Sequence, residues 1–464
     1  MIAIVCALLS AIGFYFSIGL GDQWWLAWLA PIPVLWFAFG DAKWWKVFAV
    51  AWVAYALGST SILRAYAGTL PLPILVLAIC GPALLFVFPV MGARRVQRAF
   101  GDIPAMFAFA TLWTALDYLS SFNLAGGAGS TPAAAEVGAP MLMQTASLVG
   151  FLGVTFLLGA FSAGIAASLR SRNPAPAAIA VALFAANAAF GYARMSAPPT
   201  SAMHVALIES DDVTGARRTA DKASTMKAID AYAGEIEKLR GQHVQLIVMP
   251  ENIAQLAPQW RGEAETKLAS AANDVGATLV AGFNTFINGA QRNVSLGFAD
   301  GAKTPVTYQK RRLVPVLETN YYTPGPGPAV LSNGVGLEIC KDMDFHAMIR
   351  SDELATKPVL LAVPAWDFDK DDWSHGRIAI MRSVENGVPM ARTARDGLLM
   401  LVDRYGRIVA KARTVGPFTT LIGDLPLDGG GGNTIYDRIG DVFAWLCILF
   451  GFGLVGFSLA RRRA

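Results

Sequence analysis

Apolar residues are spread so unevenly along this chain that water cannot be the solvent for all of it. Residues 1 to about 195 are almost wholly apolar, residues about 200–425 read as an ordinary soluble domain, and residues about 441–460 are apolar again. Of 464 residues 54% are hydrophobic and only 16% are charged, against roughly 25% charged in a typical soluble domain. A helix that crosses a bilayer needs about 20 mostly apolar residues, because lipid leaves each backbone polar group to be satisfied inside the segment. Eight stretches qualify, at about 2–20, 24–40, 44–62, 71–92, 103–121, 141–169, 175–193 and 441–460. The first has no basic n-region and no small-residue cleavage site, so it reads as a retained span. The expected organisation is a transmembrane domain at 1–197, a globular domain at 198–428, and a linker with the last span at 429–464.

Charge orients these spans. Lys43 and Lys46, then Arg94, Arg95 and Arg98, then Arg170 and Arg172, and finally Arg461, Arg462 and Arg463 follow alternate spans, so all fall on one side. The opposite short loops hold only Arg64. Lysine and arginine accumulate on the cytoplasmic side. Both termini are then cytoplasmic, and the globular domain faces the periplasm of a bacterial inner membrane. The net charge of +4 is mostly this topology signal, and no basic stripe for nucleic acid appears on the globular domain. His204, His243, His346 and His375 show no ligand spacing, so no metal site is expected.

Cys340 is the only cysteine outside the long apolar stretches; Cys6, Cys80 and Cys447 lie within them. It therefore has no disulfide partner in its own domain. It ends the run Gly334-Val-Gly-Leu-Glu-Ile339, which reads as a strand. Further strands are expected at 204–208, 244–249, 277–284, 293–299, 304–310, 358–363, 389–395, 398–403 and 406–412. Helical periodicity covers about 222–239, 262–275, 346–356 and 376–387. Mixed βαβ units and hairpins predict an α/β fold, with ligand sites at the carboxyl ends of strands. Glu251 and Lys310 fall in such places, as Cys340 does.

Those three side chains suit acyl chemistry. A thiol is mostly protonated at neutral pH and needs a base, for which Glu251 is the candidate. Attack on an ester or amide carbonyl makes an oxyanion that Lys310 and the backbone amide of Lys341 can stabilise. The product is a thioester, which divides one hard acyl transfer into two easier ones. Each residue also has a plainer reading. Cys340 can be a core thiol, Glu251 a turn residue after Pro250, and Lys310 part of the solvated basic run Lys310-Arg311-Arg312.

The set Met249-Pro-Glu251, Tyr308-Gln-Lys310 and Ile339-Cys340-Lys-Asp342 resembles the Glu–Lys–Cys signature of the nitrilase, or carbon–nitrogen hydrolase, superfamily. The likeness runs on through Glu318, Tyr322-Thr-Pro-Gly325 and Pro364-Ala-Trp366, across nearly all of 203–425. It implies an α-β-β-α sandwich with Glu251 as base, Lys310 as oxyanion stabiliser and Cys340 as nucleophile. A domain of this kind between spans seven and eight is similar to the apolipoprotein N-acyltransferase family. Its lysine loop is matched by Lys310-Arg-Arg-Leu-Val-Pro-Val-Leu-Glu318, where Glu318 helps organise the site, and Trp373-Ser-His375 through Arg382, Glu385, Arg392 and Gly397 also resembles it.

The resemblance implies a cofactor-free ping-pong reaction on the bilayer by a monomer. A phospholipid is the acyl donor, Cys340 carries the acyl group, and the N-terminal amine of a diacylglyceryl-cysteine lipoprotein accepts it. Asp342 stands where that family usually has Glu, and Lys341 where it has an aromatic residue. The 121–140 loop is rich in Gly and Ala without an aromatic Pro-Trp pattern. A membrane-anchored amidase or nitrilase-type hydrolase that uses water is the second reading, and an idle lipid-binding scaffold the third. Apolar loops over Cys340 favour transfer by excluding water. Tyr321, Tyr322, Trp366 and Phe368 are the expected lid residues, with ordinary core packing as their alternative.

Overall fold

The computed structural model describes residues 1–461 apart from 69, 124–125, 214–220, 415 and 428–432. The expected boundary at 428 and the basic residues Arg462 and Arg463 lie outside the described residues. The chain forms two units, one of Met1–Ala197 with Arg438–Ala464 and the other of Pro198–Asp437.

In the first unit, five helices among the described residues are long and apolar enough to cross a membrane: Trp44–Tyr66, Leu72–Phe100, Phe151–Ser171, Ala175–Met195 and Val442–Ala460. The other expected spans come out shorter or less apolar. Ile2–Ser17 has 16 residues, about 24 Å of helix. The 24–40 stretch is two helices, Trp24–Leu29 and Pro31–Ala38, because Pro31 lacks the N–H that would continue the first and opens the second instead. Asp102–Ser120 carries Asp102 and Asp117. The 141–169 stretch forms a long helix only from Phe151, after the single turn Ala146–Val149. Before it, Pro132 and Pro140 open the 3-10 turns Pro132–Gly138 and Pro140–Met143, and Gly150 sits at φ 72°.

Small residues let these helices approach. A Cβ on Gly159 would stand 3.0 Å from the Ala110 Cα. The half-buried Asp117 accepts from the hydroxyls of Thr131 at 2.7 Å and Thr155 at 2.6 Å.

The second unit is built on two sheets. Its strands are β1 Ser201–Glu209, β2 Leu246–Val248, β3 Gln255–Leu256, β4 Thr278–Ile287, β5 Ala290–Phe298, β6 Val306–Gln309, β7 Ala329–Val330, β8 Val335–Leu337, β9 Leu360–Trp366, β10 Met390–Arg395, β11 Leu398–Val402, β12 Ile408–Arg413 and β13 Thr419–Leu427. Among the described residues the first sheet runs β13-β1-β2-β4-β5-β6, with β3 also on β4, and the second runs β12-β11-β10-β9-β8-β7. Each has a parallel centre, β1-β2-β4 in one and β8-β9-β10 in the other, with antiparallel strands outside it.

Alternation along the strands puts one face of each sheet into a shared apolar layer. Val205, Leu207 and Val248 of the first sheet meet Leu337, Leu399 and Leu401 of the second. On the outer face of the first sheet, Ala206 and Ile208 pack on Ile229 and Ile236 of the Lys222–Glu237 helix and on Leu268 of the Arg261–Val275 helix. The Asp372–Asn386 helix covers the second sheet closely enough that a Cβ on Gly376 would come within 2.8 Å of the Met400 methyl. The layers are therefore α-β-β-α. β3, β7 and β13 carry no clear sequence signal. β13 contains Pro426 and Gly423, which an edge strand tolerates.

Candidate active site

Three strand ends converge. The chain leaves β2 through Met249-Pro250 into a turn at Glu251, whose N–H donates to the Ala365 carbonyl of β9 at 3.2 Å. Asn252 then takes φ 58°, a left-handed conformation that asparagine tolerates better than most residues. β4 grips this turn from below. Gly282 N–H donates to Pro250 O at 3.0 Å, and Ile253 N–H donates to Gly282 O at 2.9 Å. A Cβ at Gly282 would lie 2.5 Å from the Glu251 Cα, so only glycine fits.

Lys310 follows β6 directly and is almost wholly buried. Its Nζ donates to Glu251 Oε1 at 2.7 Å and to Glu318 Oε1 at 3.0 Å. Asn293 of β5 donates from the same Nδ2 to the same two oxygens, at 2.6 and 2.9 Å. Two carboxylates are thus held side by side by one ammonium and one amide. The flipped amide would aim its oxygen at both carboxylates, so the donors fix its orientation.

The expected strand into Cys340 stops earlier, at Leu337, and Cys340 opens a 3-10 turn that runs to Asp344. Its φ is 44°. For a residue with a Cβ this conformation is uncommon and costs of order 1–3 kcal/mol, the kind of strain that collects at functional sites. The thiol keeps partial exposure and lies 3.7 Å from the Trp366 carbonyl, to which it can donate.

Burial pushes the Cys340 thiol well above its ordinary range, and Glu251 adds to this, while Lys310 opposes it. The resting group is a thiol that needs a base. Burial also raises Glu251, against the pull of Lys310. Burial disfavours the charge on Lys310, but Glu251 and Glu318 outweigh it and keep the ammonium. A carboxylate that can take a proton, a fixed cation and a strained thiol are the set that base-assisted attack on a carbonyl requires.

Other expected residues separate. Lys341 pairs with Asp344 at 3.1 Å. Asp342 is buried, and its Oδ1 accepts from the backbone amides of Arg311 at 3.3 Å and Arg312 at 2.8 Å. It serves the loop after Lys310 rather than Lys310 itself. Tyr321 and Phe368 are each 46% exposed, and Trp366 is half-buried. Tyr322, expected with them in a lid, is buried and belongs to the inner wall.

Sequence reasoning did not single out Asn293, the exposure of Val316 and Leu317 in the lysine loop, or Asp367, which Arg392 grips with a fork at 2.6 and 3.0 Å beside Trp366. Asn293 left no local signal, since Gln291, Arg292 and Ser295 of the same strand are polar too. Among the described residues no group of three or more His, Cys, Asp or Glu is placed to hold a metal.

An α-β-β-α sandwich with a thiol, a carboxylate and a lysine at its strand ends is the arrangement that the nitrilase resemblance led one to expect, and it stands on a membrane-integral chain with helices of membrane-spanning length. The model of the apolipoprotein N-acyltransferase N-terminal domain matches residues 9–164. An apolipoprotein N-acyltransferase of Geobacter metallireducens is 24% identical over 95% of this chain and 92% of its own length. One from Rhizobium leguminosarum is 26% identical over 79% and 78%. The chain is thus similar to apolipoprotein N-acyltransferases over most of its length. Among solved structures, an amidase from Nesterenkonia sp. is 22% identical over 54% of this chain and 98% of its own, with a TM-score of 0.41. A carbon–nitrogen hydrolase from Helicobacter pylori G27 is 18% identical over 48% and 89%, also at 0.41. The fold assignment rests on strand order and layering, not on these two.

Proposed function

We propose that the chain is an acyltransferase that moves a fatty acyl group from a membrane phospholipid to the N-terminal amine of a diacylglyceryl-cysteine lipoprotein. What carries the reading is similarity to proteins named apolipoprotein N-acyltransferase across 95% of the chain, through both units. The geometry supplies a route. Glu251 removes the Cys340 proton, and the sulfur attacks the ester carbonyl. The ammonium of Lys310 and the backbone amide of Lys341 stabilise the oxyanion. The lysophospholipid leaves with the proton returned by Glu251, and Cys340 is left as a thioester. The lipoprotein amine then attacks the thioester and loses a proton to Glu251, the C–S bond breaks, and Glu251 returns the proton to the Cys340 sulfur as the N-acylated lipoprotein leaves.

Glu318 and Asn293 hold Glu251 in place. Tyr321, Trp366 and Phe368 shield the thioester from water. No cofactor or metal enters these steps. The same reading sets the protein in a bacterial inner membrane as a monomer with eight spans, cytoplasmic termini and a periplasmic second unit.

The test is intact-protein mass spectrometry of the full chain in detergent after incubation with phospholipid. The protein should gain the mass of one acyl chain, Cys340→Ala should not, and a diacylated lipopeptide should discharge the adduct. A gain that survives in Cys340→Ala would sink the mechanism. Discharge by water alone, indifferent to lipopeptide, would make the protein a hydrolase.

A further inference from the structure

Behind the Cys340 turn, three oxygens lie closer together than the protons of their ordinary ionisation states allow. The phenolic oxygen of Tyr308, two residues before Lys310, is 2.9 Å from Glu338 Oε2 and 2.8 Å from Asp342 Oδ2. All three side chains are buried. A phenol carries one proton and can donate it to one carboxylate. Arg311 Nε–H, at 3.3 Å, itself donates to the phenolic oxygen and so serves neither contact. With both carboxyls ionised, one would face phenol lone pairs at hydrogen-bond distance, in a setting of low dielectric where nothing screens the repulsion. The second short contact needs a second proton, and a carboxyl group must hold it.

The surroundings decide which. Asp342 Oδ1 receives two backbone N–H groups, from Arg311 and Arg312, and such donors favour the ionised form. Toward Glu338, Arg311 Nη2 stands at 3.6 Å, beyond hydrogen-bond distance, and that guanidinium is already forked onto Asp352. The buried Glu353 of the His346–Thr356 helix is itself held well above the ordinary carboxylate range, by burial first and then by Asp437 and Glu338. In keeping with this, burial and then Asp342 push Glu338 up to about 8, whereas Asp342, raised by burial but held down by Lys310 and its donors, reaches about 6.

We infer that Glu338 is kept protonated, and that Glu338, Tyr308 and Asp342 form a one-way hydrogen-bond chain that positions the loop carrying Lys310. The protons balance. The Glu338 acid donates to the Tyr308 oxygen, the Tyr308 hydroxyl donates to Asp342 Oδ2, and Asp342 Oδ1 accepts the Arg311 and Arg312 amides. The main chain after Lys310 is thereby tied to the segment that presents Cys340. Loss of the Glu338 proton would set a second buried anion beside Asp342 and loosen those amide contacts. None of the three touches the thiol, so these are positioning residues.

The rate readout rests on the acyl-transfer reading, but an infrared readout does not. Full-length protein in detergent should show the carbonyl stretch of a protonated carboxylic acid at neutral pH. That band should weaken as pH rises, and the Glu338→Gln spectrum should have lost the share that Glu338 contributes while the share of other buried acids such as Glu209 remains. Glutamine keeps a neutral donor toward Tyr308, so Glu338→Gln should acylate Cys340 at a near-normal rate and lack the alkaline decline of the parent protein. Glu338→Ala and Tyr308→Phe, once shown to be folded by thermal melting, should each lose roughly tenfold, the scale of one buried hydrogen bond. Two results would overturn the proposal: no acid band lost in Glu338→Gln, or a folded Glu338→Gln as slow as Glu338→Ala. If no phospholipid acylates Cys340 at all, the acyl-transfer reading fails, and the infrared band still decides where the proton sits.

Discussion

Asn293 shows how much one amide can organise. It and Lys310 each donate to the same oxygens of Glu251 and Glu318, so two carboxylates that would repel are held within reach of a single ammonium. The arrangement keeps Glu251 ionisable next to a thiol that burial holds in its neutral form. Removing the amide should let the two carboxylates drift apart. A hydrogen bond to a charged group is worth about 1.5–3 kcal/mol, so Asn293→Ala should slow Cys340 acylation by roughly 10- to 150-fold. Binding of phospholipid should change little. Steady-state kinetics in mixed micelles would check this, and a loss confined to KM would show that Asn293 shapes the pocket instead. Asp342 makes the complementary point. Its carboxyl grips the backbone of Arg311 and Arg312, so the absent methylene is met by a partner that comes to it.

At the level of elements, the site depends on a turn pressed against a strand. β4 passes under Met249–Ile253 so tightly that its Gly282 has no room for a side chain. Gly282→Ala should push Glu251 away from Lys310 and also strain β4, with overpacking of this kind costing about 1–3 kcal/mol. A lowered melting temperature together with loss of the acyl adduct is expected, and a fully active, equally stable variant would show that the turn has slack. The same elements divide what is legible in the sequence from what is not. The Arg261–Val275 and His346–Thr356 helices lie where the sequence puts them, and Glu251 and Cys340 stand out because each follows a short apolar run, Lys310 because it follows the strand-like run Val306-Thr-Tyr-Gln309. Asn293 is invisible there. Its role follows from the pairing of Val294 with Gln309, which sets residue 293 beside residue 310, and no local pattern encodes that register. Cys340 at φ 44° is hidden for a similar reason, since its apolar lead-in reads as continuous strand. The membrane stretches are misread where proline intervenes, at Pro31 and Pro140, because hydropathy averages over a broken backbone.

Across the whole second unit, buried carboxyls should make stability depend on pH in an unusual direction. Glu209, at the end of β1, is fully buried beside the carboxyl of Asp211. Burial first, and then Asp211, push it up to about 9, with Arg395 opposing. Glu338 shares the pattern at about 8. In the unfolded chain such groups titrate near an ordinary glutamate value of about 4.3. The folded form therefore holds protons that the unfolded form has released. Their contribution to stability is fully present below the unfolded value and is lost as pH rises through the folded one. Stability should fall between about pH 5 and pH 9, opposite to a protein whose carboxylates are stabilised by ion pairs. Glu209→Gln, which keeps the shape and removes the titration, should match the parent protein at the acid end and melt at a higher temperature at the alkaline end. Thermal unfolding of the full chain in detergent, followed by near-ultraviolet circular dichroism at several pH values, would measure this. Parallel curves for the two proteins would mean that Glu209 is ionised in the fold, and that a partner for its charge lies close by.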